Sequence, residues 1–92
     1  MATSDSGQQA FTLLYFASAT NVTQRSSEQF AAPMSVSELF RKLDEQYPTI
    51  KAKVLDSAAL TINLAYTDLD KKDETMINPG DEVAIIPPVS SG

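Results

Sequence analysis

The segment FTLLYFA, which begins at Phe11, is apolar on both faces of the β-strand that it predicts. In an extended chain Phe11, Leu13 and Tyr15 project to one side, whereas Leu14 and Phe16 project to the other. A strand that is apolar on both sides lies at the centre of a sheet, or its second face meets a partner. The chain is therefore expected to fold around a sheet that contains this strand.

The composition allows one small domain and excludes most protein-borne catalysis. With 92 residues, of which 42% are apolar, the chain is long enough for one core and too short for two. It contains no Cys and no His, so thiolate nucleophiles, imidazole bases, zinc ligand sets and disulfides are excluded. No acid or Lys stands in a recognisable catalytic setting, and neither a catalytic residue nor a metal site is predicted.

The net charge and the first residues indicate the kind of partner and the compartment. Twelve acidic against seven basic residues give a formal charge of −5, the wrong sign for binding nucleic acid or an anionic membrane. A partner with a basic docking face is expected instead. Residues 1–9 are polar, without an apolar signal segment or an Arg-rich amphipathic pattern, and are predicted to be a disordered lead-in of a cytosolic protein.

A capping box marks the start of the main helix. The Ser35 hydroxyl can accept a hydrogen bond from the Glu38 amide, while the Glu38 carboxylate can reach back to the Ser35 amide. The apolar residues that recur at helical spacing form one stripe: Val36, Leu39, Phe40, Leu43 and Tyr47. Because Pro48 disfavours helical backbone at the residue before it, the helix is expected to end near Tyr47.

Two further segments on either side of this helix predict strands. The polar residues from Ser18 to Ser27 predict a loop, and Glu28 to Ala32 a short return strand. After the helix, Leu60, Ile62 and Leu64 alternate with polar or small residues, as is typical of a half-buried strand.

The last third of the chain contains a charged segment, a turn and a final strand. Asp68 to Glu74 are predicted to form an exposed loop. Asn78-Pro79-Gly80-Asp81 suits a type II turn, because Pro fixes φ at the second position and Gly accepts a positive φ at the third. Val83 to Ile86 then form the last strand.

These elements predict an α+β domain over residues 10–86, with one main helix packed on one face of a mixed sheet. The single helix covers only that face, so the apolar side chains on the other face need another cover. By parity these are Leu14, Phe16 and Ile86, and we interpret Phe16 and Ile86 as an exposed docking patch. The alternative is that loops cover them.

The residues after the last strand predict a flexible, extended tail: Pro87, Pro88, Val89, Ser90, Ser91 and Gly92. Two prolines favour extended backbone, and six residues of about 3.3 Å each reach roughly 20 Å. Gly92 has no Cβ that would obstruct a narrow tunnel or an attack at its carbonyl. A free carboxylate is a poor electrophile, so a partner would have to activate it. The alternative is a frayed terminus without a function.

The segment from Asn78 to Gly92, NPGDEVAIIPPVSSG, resembles the C-terminus of the molybdopterin synthase small subunit. This family comprises the sulfur-carrier proteins of molybdenum cofactor biosynthesis. The shared pattern is a Gly-Asp-Glu-Val turn, an apolar strand, Pro-Pro-Val and a short stretch that ends in Gly. The first strand, LLYFA, is also similar to the family's first strand. The family usually ends in Gly-Gly, whereas here Ser91 precedes Gly92.

The resemblance implies a ubiquitin-like β-grasp fold and a role for Gly92 as the modified residue. In the family, an activating enzyme similar to the ubiquitin E1 uses ATP to adenylate the terminal Gly, and sulfur transfer converts it to a thiocarboxylate. The tail then enters the large subunit of the synthase, where the sulfur passes to cyclic pyranopterin monophosphate. The carrier itself binds no cofactor, and the large subunit supplies the catalytic groups.

The resemblance also implies how the chain meets its partners. Phe16, Tyr66 and Ile86 fall on family positions that pack against partners, and the placement of Tyr66 takes Ile62 and Asn63 as the anchor of the alignment. The family forms a heterotetramer in which two small subunits sit at opposite ends of a dimer of large subunits.

Three other functions stay open at this point. The chain could carry sulfur for thiazole synthesis or tRNA thiolation, and Pro-Pro-Val near its end argues against both by resemblance. It could be a ubiquitin-like binding module with an inert tail. An independent enzyme that uses the acids between Asp68 and Glu82 is the least favoured.

Overall fold

Five strands form a mixed sheet around the first and last strands of the domain, in a computed structural model that describes residues 9–88. The strands are β1 (Ala10–Tyr15), β2 (Ser27–Ala31), β4 (Ala59–Ile62), β5 (Ala65–Tyr66) and β7 (Glu82–Ile86). Their spatial order is β2-β1-β7-β4-β5, with β1 and β7 parallel and the other neighbours antiparallel. The apolar first strand lies inside the sheet, between β2 and β7, as the first of its two predicted alternatives requires.

The alternation predicted for the first strand is also confirmed. Phe11, Leu13 and Tyr15 are buried, whereas the residues between them are partly accessible. Val83 and Ile85 of β7 lie beside them on the same face, because directly paired residues of neighbouring strands project to the same side. This inner face of the sheet forms the core.

The main helix, α2 (Val36–Gln46), packs on the inner face. The Ser35 hydroxyl accepts a 3.1 Å hydrogen bond from the Glu38 amide, which confirms the predicted N-terminal cap. The Glu38 carboxylate lies 3.7 Å from the Arg41 guanidinium, on the solvent side of the helix. The apolar stripe buries Val36, Leu39 and Leu43 completely. With its single main helix on one face of a mixed sheet, the domain has the predicted α+β architecture.

Smaller elements complete the inner layer. A two-stranded ladder joins β3 (Met34–Ser35) to β6 (Met76–Ile77), and a π-helical segment, Lys51–Leu55, buries Val54 and Leu55. Within residues 9–88, no helix is both long and apolar enough to cross a bilayer.

The predicted loop between the first two strands is wrong in part, because a short helix, α1 (Ser18–Thr23), lies there. Ala19 and Thr23 are buried on its inner side, and the Thr23 hydroxyl donates a 3.0 Å hydrogen bond to the Ala19 carbonyl. Only Ala19 and Val22 are apolar in this helix, so the sequence carries no amphipathic stripe. Tertiary packing, not local propensity, stabilises such a segment.

The predicted strand around Leu60 ends two residues early. Asn63 and Leu64 have φ of +51° and +73° and form a two-residue turn between β4 and β5. Leu64 was expected on the buried side but is 86% exposed, whereas Thr61 is buried. The chain reverses at this turn, so the alternation beyond Ile62 cannot continue.

The last predicted turn is confirmed and the charged segment before it is largely exposed. Gly80 has φ of +87°, and the Asp81 amide donates a 3.1 Å hydrogen bond to the Asn78 carbonyl. Within the predicted Asp68–Glu74 loop, Leu69–Lys71 form a 3-10 turn, and Leu69 packs partly against the core.

Candidate functional site

The face of the sheet that α2 does not cover carries one row of residues across four strands. Leu14 of β1 lies opposite Ala84 of β7, Ala84 lies opposite Thr61 of β4, and Thr61 lies opposite Tyr66 of β5. Directly paired residues project to the same side of a sheet. These four side chains therefore form the middle of the outer face.

Around this row the outer face forms a shallow hollow of about 290 Å³. The hollow is lined by Leu14, Phe16, Thr61, Leu64, Tyr66, Glu82, Ala84 and Ile86, which we call the outer-face patch. Three large side chains in it are strongly accessible: Phe16 at 47%, Tyr66 at 72% and Leu64 at 86%. Apolar side chains exposed together in this way are typical of an interaction surface.

The three residues predicted to dock a partner all line this patch. Phe16 directly follows β1, Ile86 ends β7, and Tyr66 ends β5. The parity of the strands brings Phe16 and Ile86 to the outer face, as expected from the sequence. The role of these residues in docking stays a prediction.

Leu64 is the large apolar patch residue that the sequence did not predict. Its alternation with Leu60 and Ile62 indicated a buried position, but it lies at the tip of the β4–β5 turn. The available signal was Asn63, since Asn is enriched in two-residue hairpin turns.

The β4–β5 turn is fixed to the start of β7 by the Asn63 side chain. The Asn63 Nδ2 donates a 3.0 Å hydrogen bond to the Asp81 carboxylate, and its Oδ1 accepts a 2.9 Å bond from the Glu82 amide. The Asn63 amide donates a further 2.7 Å bond to the Glu82 carbonyl. This end of the patch is therefore held firmly to the strand that leads to the tail.

The chain leaves the sheet at the other end of β7. Pro87 is buried and Pro88 is exposed. Val83 and Ile85 point inward, and Pro87 continues that alternation. The predicted arm began at Pro87, whereas in the structure the accessible chain begins one residue later, at Pro88.

The rest of the predicted tail and nearly all of the predicted lead-in lie outside the described residues. For the tail these are Val89, Ser90, Ser91 and Gly92, and for the lead-in they are residues 1–8. The Gln9 carbonyl accepts a 2.7 Å hydrogen bond from the Ala32 amide, so the backbone at Gln9 is joined to the domain.

A carboxylate on the inner side links β1, β2 and α2. Glu28 accepts hydrogen bonds from the Tyr15 hydroxyl at 2.8 Å, the Tyr47 hydroxyl at 2.9 Å and the side-chain Nε2 of Gln46 at 2.7 Å. This cluster lies behind the outer-face patch and joins the helix to the two strands.

The pKa values in this cluster follow from its hydrogen bonds. Burial alone would raise the pKa of Glu28, but the hydrogen bonds from Gln46, Tyr15 and Tyr47 outweigh burial and lower it. Burial, followed by the bond to Glu28, raises the pKa of Tyr15 and of Tyr47. The cluster therefore favours an ionised Glu28 and neutral phenols.

Three of the acids between Asp68 and Glu82 accept local hydrogen bonds. Asp68 accepts a 2.9 Å hydrogen bond from the Asp70 amide, Asp73 accepts from the Ser37 hydroxyl, and Asp81 accepts a 2.8 Å bond from the Asn78 amide. Within the part of the chain that the structure describes, no three Asp or Glu side chains stand close enough to hold a metal ion.

Comparison with known proteins finds one matching family and close relatives within a single group of carrier proteins. The ThiS family model matches residues 13–92. The "Molybdopterin synthase sulfur carrier subunit" of Pyrenophora tritici-repentis is 52% identical over 83 residues, which cover 89% of this chain and 89% of the relative.

Solved structures show the same fold. The small archaeal modifier protein SAMP1 from Methanosarcina acetivorans aligns with a TM-score of 0.74 at 21% identity, covering 90% of this chain and 96% of that one. A chain in the complex of subunits 1 and 2 of the molybdopterin-converting factor from Helicobacter pylori aligns with a TM-score of 0.63 at 20% identity, covering 90% and 99%. These likenesses confirm the predicted ubiquitin-like β-grasp fold.

Proposed function

The chain belongs to the ThiS family, together with relatives named as sulfur carrier subunits of molybdopterin synthase, and from this membership we propose that it carries sulfur for that enzyme on Gly92. The observation that carries the proposal is the 52% identity to a carrier subunit over almost the whole of both chains. At such similarity we expect the two proteins to share their function as well as their fold.

The chemistry takes place at the terminal carboxyl group. The Gly92 carboxylate attacks the α-phosphorus of ATP and displaces pyrophosphate, which yields an acyl adenylate. The outer sulfur of a persulfide on the activating enzyme then attacks the acyl carbon and displaces AMP, which yields an acyl disulfide. A second thiol of that enzyme attacks the enzyme-side sulfur of this bond, which leaves a thiocarboxylate on Gly92 and a disulfide on the enzyme. Each cycle thus replaces one carboxyl oxygen with sulfur.

Two partners follow from this cycle. An E1-like enzyme supplies the adenylation site and consumes ATP, while the carrier itself binds no cofactor. The large subunit of the synthase receives the tail and transfers the sulfur to cyclic pyranopterin monophosphate. Two carriers and two large subunits form the heterotetramer, and the cycle runs in the cytosol.

The described part of the chain supports docking of this kind. The outer-face patch borders the last residue of β7, Ile86, so a partner that accepts the tail can cover Phe16, Tyr66 and Ile86 at the same time. The acid-rich composition suits a partner with basic residues around an apolar centre.

Mass spectrometry of the intact chain tests the proposal. After incubation with the activating enzyme, ATP and a sulfur donor, the chain should gain about 16 Da, because one oxygen becomes sulfur. Deletion of Gly92 should abolish the gain, while S91G, which restores the usual Gly-Gly ending of the family, should keep it. An unchanged mass of the wild-type chain, with an enzyme that modifies its own carrier in parallel, would contradict the proposal.

An assay of molybdopterin formation, with binding measured beside it, separates a carrier from a binding module with an inert tail. The chain without Gly92 should still bind the large subunit through the outer-face patch but should form no molybdopterin with it. Full activity of the shortened chain would favour the binding module.

A further inference from the structure

Leu64 has a backbone conformation that is unfavourable for a residue with a Cβ. Asn63 and Leu64 both have positive φ, +51° and +73°, in the turn between β4 and β5. Asn tolerates this left-handed region, whereas a leucine there brings its Cβ close to the following carbonyl oxygen. Gly is the usual second residue of such a turn. The Leu64 side chain therefore strains the turn that contains it.

The turn does not depend on the Leu64 side chain for its shape. Its bonds to β7 come from Asn63, whose side chain and amide are joined to Asp81 and Glu82. At 86%, Leu64 is also the most exposed of the large apolar side chains among residues 9–88, so it contributes little to the core. A side chain that strains its own fold and packs little within it is a candidate for a contact with another molecule.

Leu64 lies at the end of the outer-face patch opposite to the tail. It lines the same hollow as Phe16, Tyr66 and Ile86. The turn is fixed beside Glu82, where β7 begins, whereas the tail leaves after Ile86, where β7 ends. Four residues of extended strand separate these two points, a distance of roughly 13 Å. The patch therefore offers two contact points on either side of its centre.

We propose that Leu64 is an anchor for the large catalytic subunit of molybdopterin synthase, where it fills an apolar pocket at the end of the interface remote from the tail. The inference rests on the proposed function. Contacts to Phe16, Tyr66 and Ile86 alone would leave the end of the patch beside Glu82 without a contact. A further contact at Leu64 fixes the direction in which the tail enters the partner, and this gain offsets the strain of the turn.

Substitution of Leu64 tests the inference, because the affinity for the large subunit should fall while the melting temperature should not. L64G and L64N both suit a positive φ and remove the apolar side chain. The affinity of each full-length variant for the purified large subunit, measured by isothermal titration calorimetry, should be weaker by about five- to tenfold. Their melting temperatures should equal that of the wild type or exceed it by up to about 5 °C.

M76N is the matched control, because Met76 is an exposed apolar residue on β6, away from the patch. Its affinity should equal that of the wild type. L64M, which keeps an apolar side chain, should retain most of the binding.

Three results would overturn the inference alone. In the first, the wild type binds the large subunit and L64G and L64N bind it equally well. In the second, both variants lose affinity and also unfold at clearly lower temperatures, which would make Leu64 a structural residue. In the third, the variants impair only the reaction with the activating enzyme. If the wild-type chain itself does not bind the large subunit, the proposed function fails as well.

Discussion

The Tyr15 hydroxyl donates a 2.8 Å hydrogen bond to the Glu28 carboxylate, across the two antiparallel strands that they belong to. The same carboxylate oxygen accepts from Tyr47, just after the main helix, so one acid joins three elements. The cluster provides a stability test that does not involve the tail or the patch.

We expect E28Q to be less stable than the wild type by about 1–2 kcal/mol at neutral pH, because a charged acceptor of three hydrogen bonds becomes a neutral one. The lowered pKa of Glu28 sets the pH dependence. Its contribution is complete above the ordinary carboxyl pKa and is lost as the pH falls through the lowered pKa. Urea unfolding between pH 7 and pH 2 should therefore show the two proteins converging in acid. A constant difference across this range would contradict the assignment.

The Tyr15 phenol of the same cluster predicts the opposite pH dependence: its contribution to stability is lost as the pH rises. The pKa of Tyr15 is raised in the folded state, so its contribution is complete below the ordinary phenol pKa of about 10 and is lost as the pH rises above that value. The wild type should therefore lose more stability than Y15F between pH 9 and pH 11. Tyr47 titrates in both proteins, so the difference between them reports on Tyr15. Parallel stability curves would show that the hydroxyl of Tyr15 has no such role.

G80A should destabilise the domain by about 1–2 kcal/mol through backbone strain alone. Gly80 has φ of +87°, and a Cβ placed there meets no atom within 4 Å, so no steric overlap contributes. G80N is the matched control, and it should lose less stability because Asn tolerates positive φ. Thermal unfolding of the three proteins measures the order. An equal loss for both variants would indicate that the positive φ of residue 80 does not cause the loss of stability.

Replacement of the exposed aromatic residues should weaken partner binding without unfolding the domain. F16S and Y66S each remove a large side chain that is at least 47% exposed, and each should weaken binding to the large subunit by about tenfold or more. Circular dichroism should show unchanged secondary structure. M76S serves as the control from outside the patch. Wild-type affinity in both variants would exclude the outer-face patch as the docking surface.

Much of this fold follows from local signals in the sequence. The residues of the first strand are apolar on both faces, and the strand lies inside the sheet, between β2 and β7. Ser35 and Glu38 identified the start of the main helix, since the capping hydrogen bond involves only neighbouring residues. Gly80 identified the turn before the last strand, since a turn also involves only neighbouring residues.

Three features of the structure were not predicted from the sequence. Helix α1 has too few apolar residues for a stripe, so its contacts with the rest of the domain stabilise it. Leu64 was placed on the buried side because a leucine at positive φ contradicts the ordinary preferences of turns. Pro87 was assigned to the arm because its burial depends on residues far away in the chain.

The candidate site was predictable to different degrees. The parity of two strands is enough to place Phe16 and Ile86 on the outer face, whereas Tyr66 came only from the family resemblance. Their meeting in one hollow requires the strand order, which no single segment determines.

The parallel pairing of β1 and β7 has a practical consequence for the handling of this protein. Because β1 and β7 run in the same direction, the backbone enters the sheet at one end of these strands and leaves it at the other end. Six residue steps separate Ala10 from Ile86 along the strands, a distance of roughly 20 Å. An affinity tag or fluorescent label fused ahead of Ala10 would therefore join the domain at the end remote from Ile86. An immobilised or labelled carrier should be built from that side.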